Sequence, residues 1–196
     1  VEYTIIDELK RPREIATFQI DVGNSKRFGI FYIDQNAQKK FPPIIHTALI
    51  GTIERYLFTI FDYAVKLENE GKKPSLPLWL SPIQVRIVLV SNSYVDYALS
   101  LAEKLEKMNV RVDIDDREET LQKKIRDAET SWIPYIIVIG KKELNVNNFP
   151  VRVRDINVQK NMSIEEIYNE IRSKSLGYPF KPLTLPKLLS MRPIYK

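Results

Sequence analysis

The residues whose chemistry is easiest to read are Pro43-Ile-Ile-His-Thr-Ala-Leu-Ile-Gly-Thr-Ile-Glu-Arg55. An apolar run carrying His46 gives way from about Ala48 to a helical period, so that Glu54 and Arg55 fall early in a helix. The first N–H groups of a helix have no intrahelical partner, and an arginine beside them is well placed to meet phosphate. An isolated arginine here would equally be a surface residue, and a histidine on an apolar strand is most often a satisfied core residue. His46 is the only histidine and the chain has no cysteine. A disulfide framework and a thiolate site are therefore excluded, which suits a reducing compartment.

The elements that must position these residues follow from hydrophobic period. Ile15-Ala-Thr-Phe-Gln-Ile-Asp21 alternates as a half-buried strand does, and Phe28-Gly-Ile-Phe-Tyr-Ile33 reads as a second strand, followed by a turn at Gln35-Asn-Ala. From about Ala48, the residues Leu49, Ile53, Tyr56, Leu57, Ile60, Phe61 and Ala64 recur at helical spacing and predict a long, largely buried helix. A polar stretch broken by Gly71 and Pro74 marks a boundary at 67–75.

Beyond it, strands and helices alternate. Val85–Val90, Val110–Ile114, Tyr135–Ile139 and Val151–Arg154 read as strands, with the third central because it is the most apolar. Ser93–Met108 reads as a helix with Ala98, Leu101, Ala102 and Leu105 inside and Ser93 as its cap. Glu118–Glu129 reads as a helix anchored by Leu121 and Ile125, and Ser163-Ile-Glu-Glu166 as a capping box before a last helix ending near Ser173. The pattern predicts a three-layer α/β domain with a mixed, mostly parallel sheet, preceded by an antiparallel sheet and helix. Four prolines follow Gly177, so the tail is expected to be extended and packed on the surface, or disordered.

Composition sets the outer bounds. At 196 residues and 44% hydrophobic, the chain buries an ordinary core, and no apolar run has the length of a membrane span. A net charge of +5 and a pI near 9.2 are compatible with nucleic acid but too mild to argue for it alone.

The Pro43–Arg55 run resembles the third signature motif of class II aminoacyl-tRNA synthetases, in the form seen in the threonyl enzymes. Leu78-Trp-Leu-Ser-Pro-Ile-Gln-Val85 is similar to that family's entry into its anticodon-binding domain. Pro134-Tyr135 with its apolar strand, followed by Gly140-Lys-Lys-Glu143, also matches. The resemblance implies that residues 1–70 are the C-terminal portion of a synthetase catalytic domain, 71–76 a linker, 77–175 an anticodon-binding domain and 176–196 a Pro-rich tail. It implies an ATP-dependent ligase that charges tRNA(Thr) with threonine in the cytoplasm, using ATP with Mg2+, as a homodimer with no membrane partner.

Residue by residue, the resemblance gives Arg55 a catalytic, phosphate-binding role, and Thr17, Gln19 and Gly51 places in the ATP and substrate site. Thr17 and Gln19 are otherwise ordinary outward-facing strand residues. His46 corresponds to one of three Zn2+ ligands, the other two of which are not in this chain. Glu118, Arg126, Glu143 and Arg152 correspond to four anticodon-reading positions, and Glu118 stands where bacterial members carry Asn. Arg126 and Glu143 are otherwise surface ion-pairing residues. Lys123, Lys124, Lys141 and Lys142 flank these positions, either on phosphates or simply in solvent. The dimerisation motif and the motif that supplies a second phosphate-clamping arginine are not in the sequence, so the chain looks like an excised piece and is expected to be inactive alone.

Two alternatives share these features. One is a paralogue that does not aminoacylate, an editing factor or accessory tRNA-binding subunit; Glu14 and Ala16 depart from the bacterial Gln-x-Gly and point that way. The other is a prolyl-type synthetase. Intact Gly51, Glu54, Arg55 and His46 argue against the first, and the placement of His46 argues against the second.

Overall fold

A computed structural model describes residues 1–193 and divides them after Lys66 into two compact units. The expectation of a packed or disordered tail, where it concerns residues 194–196, lies outside the described residues.

In the first unit, β1 (Glu2–Ile6), β2 (Pro12–Asp21) and β5 (Ile44–Ala48) form an antiparallel sheet in the order β1-β2-β5. The β1–β2 register runs Tyr3 to Ala16 and then Thr4 to Glu14, which leaves Ile15 unpaired as a bulge. Between β2 and β5 lie a short helix, α1 (Asn24–Arg27), and a two-stranded ribbon of β3 (Tyr32–Ile33) and β4 (Lys39–Lys40). The expected strand over Phe28–Ile33 is thus mostly absent. Phe28 caps α1, Gly29 takes a φ of 69°, and only Tyr32 and Ile33 pair. The six residues are all exposed, so no core face holds them extended.

The helix α2 (Ile53–Asn69) starts later than its period predicts, because Gly51 turns the chain at a φ of 63°. It is amphipathic but not buried. Ala64 is its one buried residue among those described, while Leu57, Phe58 and Phe61 are exposed. The apolar stripe is real, and within the first unit little covers it.

The second unit is a five-stranded mixed sheet in the order β10-β9-β8-β6-β7. It is built from β6 (Val85–Leu89), β7 (Val112–Asp115), β8 (Tyr135–Ile139), β9 (Asn148–Val153) and β10 (Val158–Ser163). The pairs β6–β7 and β6–β8 are parallel, and β8–β9 and β9–β10 are antiparallel. Odd-numbered residues of β6, β8 and β9, such as Val85, Ile87, Ile137 and Val151, with the even-numbered Val112 and Ile114 of β7, pack under α3 (Val95–Lys107) and α5 (Ile164–Ser175). Val88 and Ile136 point the other way, under α4 (Leu121–Thr130). The three layers follow from this alternation. β8 is central, and the Ser163–Glu166 capping box opens α5.

The cap of α3 differs from expectation. A 3-10 turn over Asn92–Tyr94 precedes the helix; Ser91 caps that turn by accepting the Ser93 N–H, and α3 itself starts after Tyr94 with no side-chain cap. The tail is packed, carrying a 3-10 turn at Leu189–Met191 and a parallel bridge from Leu188 to Ile114.

Candidate functional site

The residues singled out in the first unit share one sheet face. Gln19 stands directly opposite His46 and Thr17 opposite Ala48 across the β2–β5 ladder, and cross-strand partners point the same way. Gln19 and His46 are exposed and line an open depression with Phe18, Ile20 and Asp21. Thr17 is half-buried; its carbonyl accepts from the Thr47 hydroxyl at 2.8 Å.

Gly51 lies at the end of this face. A Cβ there would stand 3.0 Å from Arg55 Cδ and 3.4 Å from the Ile15 carbonyl oxygen, so the Arg55 side chain folds back across the glycine. Thr52 accepts the Arg55 N–H at 3.3 Å. The Arg55 guanidinium has no ion-pair partner among the described residues. Glu54 is held below the ordinary carboxylate value by its own N–H and the Thr52 hydroxyl.

The donor set does not make a closed metal site. His46 has one acidic neighbour, Asp21, whose oxygens already accept the N–H groups of Gly23 and Asn24 at 2.9 Å and the Asn24 side-chain amide. Those backbone donors, more than His46, hold Asp21 below its ordinary value against the effect of desolvation. No cluster of three or more His, Cys, Asp or Glu suited to a metal exists among the described residues. A structural zinc takes four ligands, and this face supplies one imidazole.

In the second unit the four candidate residues lie along the α4 side of the sheet and do not converge on one pocket. Glu118 is exposed in the loop between β7 and α4, beside Val90, Ser91, Asn92 and Arg117. Arg126 is exposed on α4 and has no ion-pair partner among the described residues. Arg152 on β9 stands opposite Ile136, and its guanidinium lies 3.5 Å from Glu129, which is three residues from Arg126 on α4. Glu143 turns inward, one carboxylate oxygen accepting the Gly140 N–H at 2.9 Å. Gly140 follows Ile136 by four positions, so the backbone points that hold Glu143 and Arg152 are about 13 Å apart along the strand at ~3.3 Å per residue. That spacing suits several unstacked bases in a row better than one small ligand.

The flanking lysines divide. Lys124 is not at the surface: it is 3% exposed and its Nζ donates to the Leu89 carbonyl at 3.0 Å. Lys123 pairs with Glu119. Lys141 and Lys142 are exposed.

Sequence reasoning missed the support under Glu118. Arg117 forks onto Asp115 at 2.8 and 2.6 Å and reaches Asp127 at 3.0 Å. Burial pushes the Asp115 carboxyl up, but Arg117 outweighs it and holds it below its ordinary value, while Arg117 itself is raised. The alternating acids Asp113 and Asp115 on a buried strand were the available signal, since buried acids require partners.

Residues 84–174 match the family model described as the anticodon binding domain. The chain is 56% identical over 193 residues to a threonine–tRNA ligase of Pyrobaculum calidifontis and 56% over 194 residues to that of Staphylothermus marinus. These alignments take in 98% and 99% of the chain but 32% of each relative, so the chain spans about a third of the curated relatives it matches. Among solved structures, the RNA binding domain of threonyl-tRNA synthetase from Cryptosporidium parvum aligns with a TM-score of 0.67 at 31% identity, over 91% of this chain and 43% of that one. Prolyl-tRNA synthetase of the same organism aligns with a TM-score of 0.70 at 23% identity, over 86% of this chain and 35% of that one, a likeness of fold.

Proposed function

We propose, from the match of residues 84–174 to the anticodon binding domain and the 56% identity to a threonine–tRNA ligase, that the chain serves a ligase that activates threonine with ATP and transfers it to tRNA(Thr). In this reading residues 77–175 read the anticodon, 1–70 contribute to the catalytic domain, 71–76 join them and 176–196 form the tail. The enzyme works as a homodimer in the cytoplasm.

The observation that carries the reading is the row of Glu118, Arg126 and Arg152, exposed along the α4 side, with Glu143 at its end. Arginines stack on or hydrogen-bond to splayed bases, and carboxylates accept from exocyclic amines. Glu118 thus favours a base that donates an amine, where an amide would tolerate either.

In the first unit Arg55 offers two parallel N–H donors to a phosphate of ATP, and Gly51 leaves room for them. Mg2+ bound with ATP would offset phosphate charge. Thr17 and Gln19, on the same face, hold substrate. His46 supplies one zinc ligand at most; the described residues do not complete the site, and no step is derived through the ion.

Binding of the chain to a tRNA(Thr) transcript, compared with a transcript altered at the second and third anticodon bases, tests the reading at fixed salt. The alteration is expected to weaken binding by about 1–3 kcal/mol per lost base contact. Equal binding that fades with salt for both transcripts would reduce the contacts to phosphate alone and sink the reading.

A further inference from the structure

The segment from Gly177 to Pro193 has one short 3-10 turn and yet docks along the second unit at several points. Tyr178 stacks on Trp79 at 4.6 Å with an 8° interplanar angle, and the Arg111 guanidinium lies over Phe180 at 5.6 Å. Leu183 joins the apolar cluster beneath α4. The Ile114 N–H donates to the Lys187 carbonyl at 2.9 Å, so the tail occupies the outer edge of β7.

The end of the tail then reaches acids at the end of β7. Arg192 Nη1 lies 3.0 Å from Asp113, a fully buried carboxylate that also takes Arg86 bidentately at 2.8 Å. Ser190 donates its N–H to Asp116 at 2.9 Å and its hydroxyl to the other oxygen.

Asp113 lies within β7, and Asp116 opens the loop that carries Glu118. Arg117 grips Asp115 and Asp127 from the helix side, and the tail grips Asp113 and Asp116 from the edge side. Asp116 is 8% exposed, so without Ser190 a buried carboxylate loses the donors given to both its oxygens. A loop released from one of its two anchors opens more often at little cost to the rest of the fold.

We propose that the tail is a positioning element for RNA recognition: through Ser190 on Asp116 and Arg192 on Asp113 it sets the 115–118 loop so that Glu118 is presented to the anticodon. The role for RNA rests on the reading of Glu118 given above; the coupling of tail to loop does not.

The test uses the full chain with Ser190→Ala and Arg192→Met, singly and together, beside Ser190→Thr and Arg192→Lys. Amide hydrogen exchange over 115–120 is expected to rise about tenfold in the double variant while β6 and β8 amides stay protected, as a local opening requires. Discrimination between the tRNA(Thr) transcript and its anticodon-altered form is expected to fall to that of Glu118→Ala. Binding of the altered transcript should stay as it was, and the conservative pair should restore discrimination. Unchanged exchange over 115–120 would overturn the proposal whatever the RNA results. A loosened loop with discrimination intact, where Glu118→Ala alone abolishes it, would overturn the positioning role. If Glu118→Ala itself leaves discrimination intact, the reading of Glu118 fails and takes the role with it.

Discussion

The two units use apolar residues in opposite ways. In the second, every β6 residue is buried, and the inner faces of α3 and α5 close on Ile87, Leu89 and Ile137. In the first, Ala16 and Ala64 are the buried hydrophobics among the described residues, while Ile20 is 61%, Ile45 63% and Phe61 52% exposed. Both units nevertheless have regular strands in register and well-formed helices. Ladder hydrogen bonds and period define the elements in each, but only the second encloses a core of its own. Apolar faces of this extent are more open than a self-contained core leaves them.

The sharpest way to break this contrast is at the buried charge. Asp113→Ala leaves Arg86 and Arg192 facing a void and should cost the second unit about 3–5 kcal/mol in urea unfolding. A loss below ~1 kcal/mol would mean that water reaches the pair and the unit is less closed than it looks. Next in size, Ile137→Ala should cost about 2–5 kcal/mol. Phe61→Ala, on the open face of α2, should cost under ~1 kcal/mol, because the ring is half in water already. Equal losses at the two positions would erase the distinction between the units.

Acid should act on both units through different clamps. The Asp115 carboxyl is pushed up by burial, but the Arg117 guanidinium wins and holds it below its ordinary 3.8. Asp7 is likewise raised by desolvation, but the Arg11 backbone N–H and the Arg13 and Arg11 side chains lower it further. In each case the unfolded chain takes up the proton first as pH falls. The stabilisation is present above the ordinary value and disappears as the pH drops from there through the depressed native one. Asp115→Asn should flatten the acid limb of unfolding in the second unit alone, and Asp7→Asn that of the first alone, read by tryptophan fluorescence for the second and by amide exchange for the first. Smallest of all, Glu129→Ala should change stability by under ~1 kcal/mol, since its partner Arg152 is nearly half exposed. A larger loss in thermal unfolding would make that pair a structural tie and not a surface waiting for RNA.

Much of this was legible from sequence where the signal is local. The unbroken apolar run of Tyr135–Ile139 placed β8 at the centre, and Ser163 with Glu166 fixed the start of α5. What was not legible depends on distant partners. The strand β10, Val-Gln-Lys-Asn-Met-Ser, has little strand character of its own and exists by pairing with β9 through a turn at Asn157, φ 51°. Lys124 reads as one more helix-surface lysine until the Leu89 carbonyl, 35 residues away, is seen beneath it. The face holding Thr17, Gln19 and His46 was recoverable, since strand parity alone sorts those residues. The buried stripe expected of α2 was not, because period shows that a face is apolar and says nothing of what covers it.

The bulge at Ile15 has a consequence for how β2 tolerates change of length. Thr4 and Tyr3 point to opposite faces, so their partners Glu14 and Ala16 do too, although two apart. The strand is therefore two half-strands of opposite parity: Arg13 lies over Phe58 of α2, while Thr17 and Gln19 face with His46. No substitution at Ile15 can merge them, but deletion of that single residue would. The halves would then share one phase, and because Glu14 and Ala16 already face opposite ways, Arg13 would stay over Phe58 and Thr17 and Gln19 would stay beside His46: the strand can lose this one residue and keep every side chain on its side.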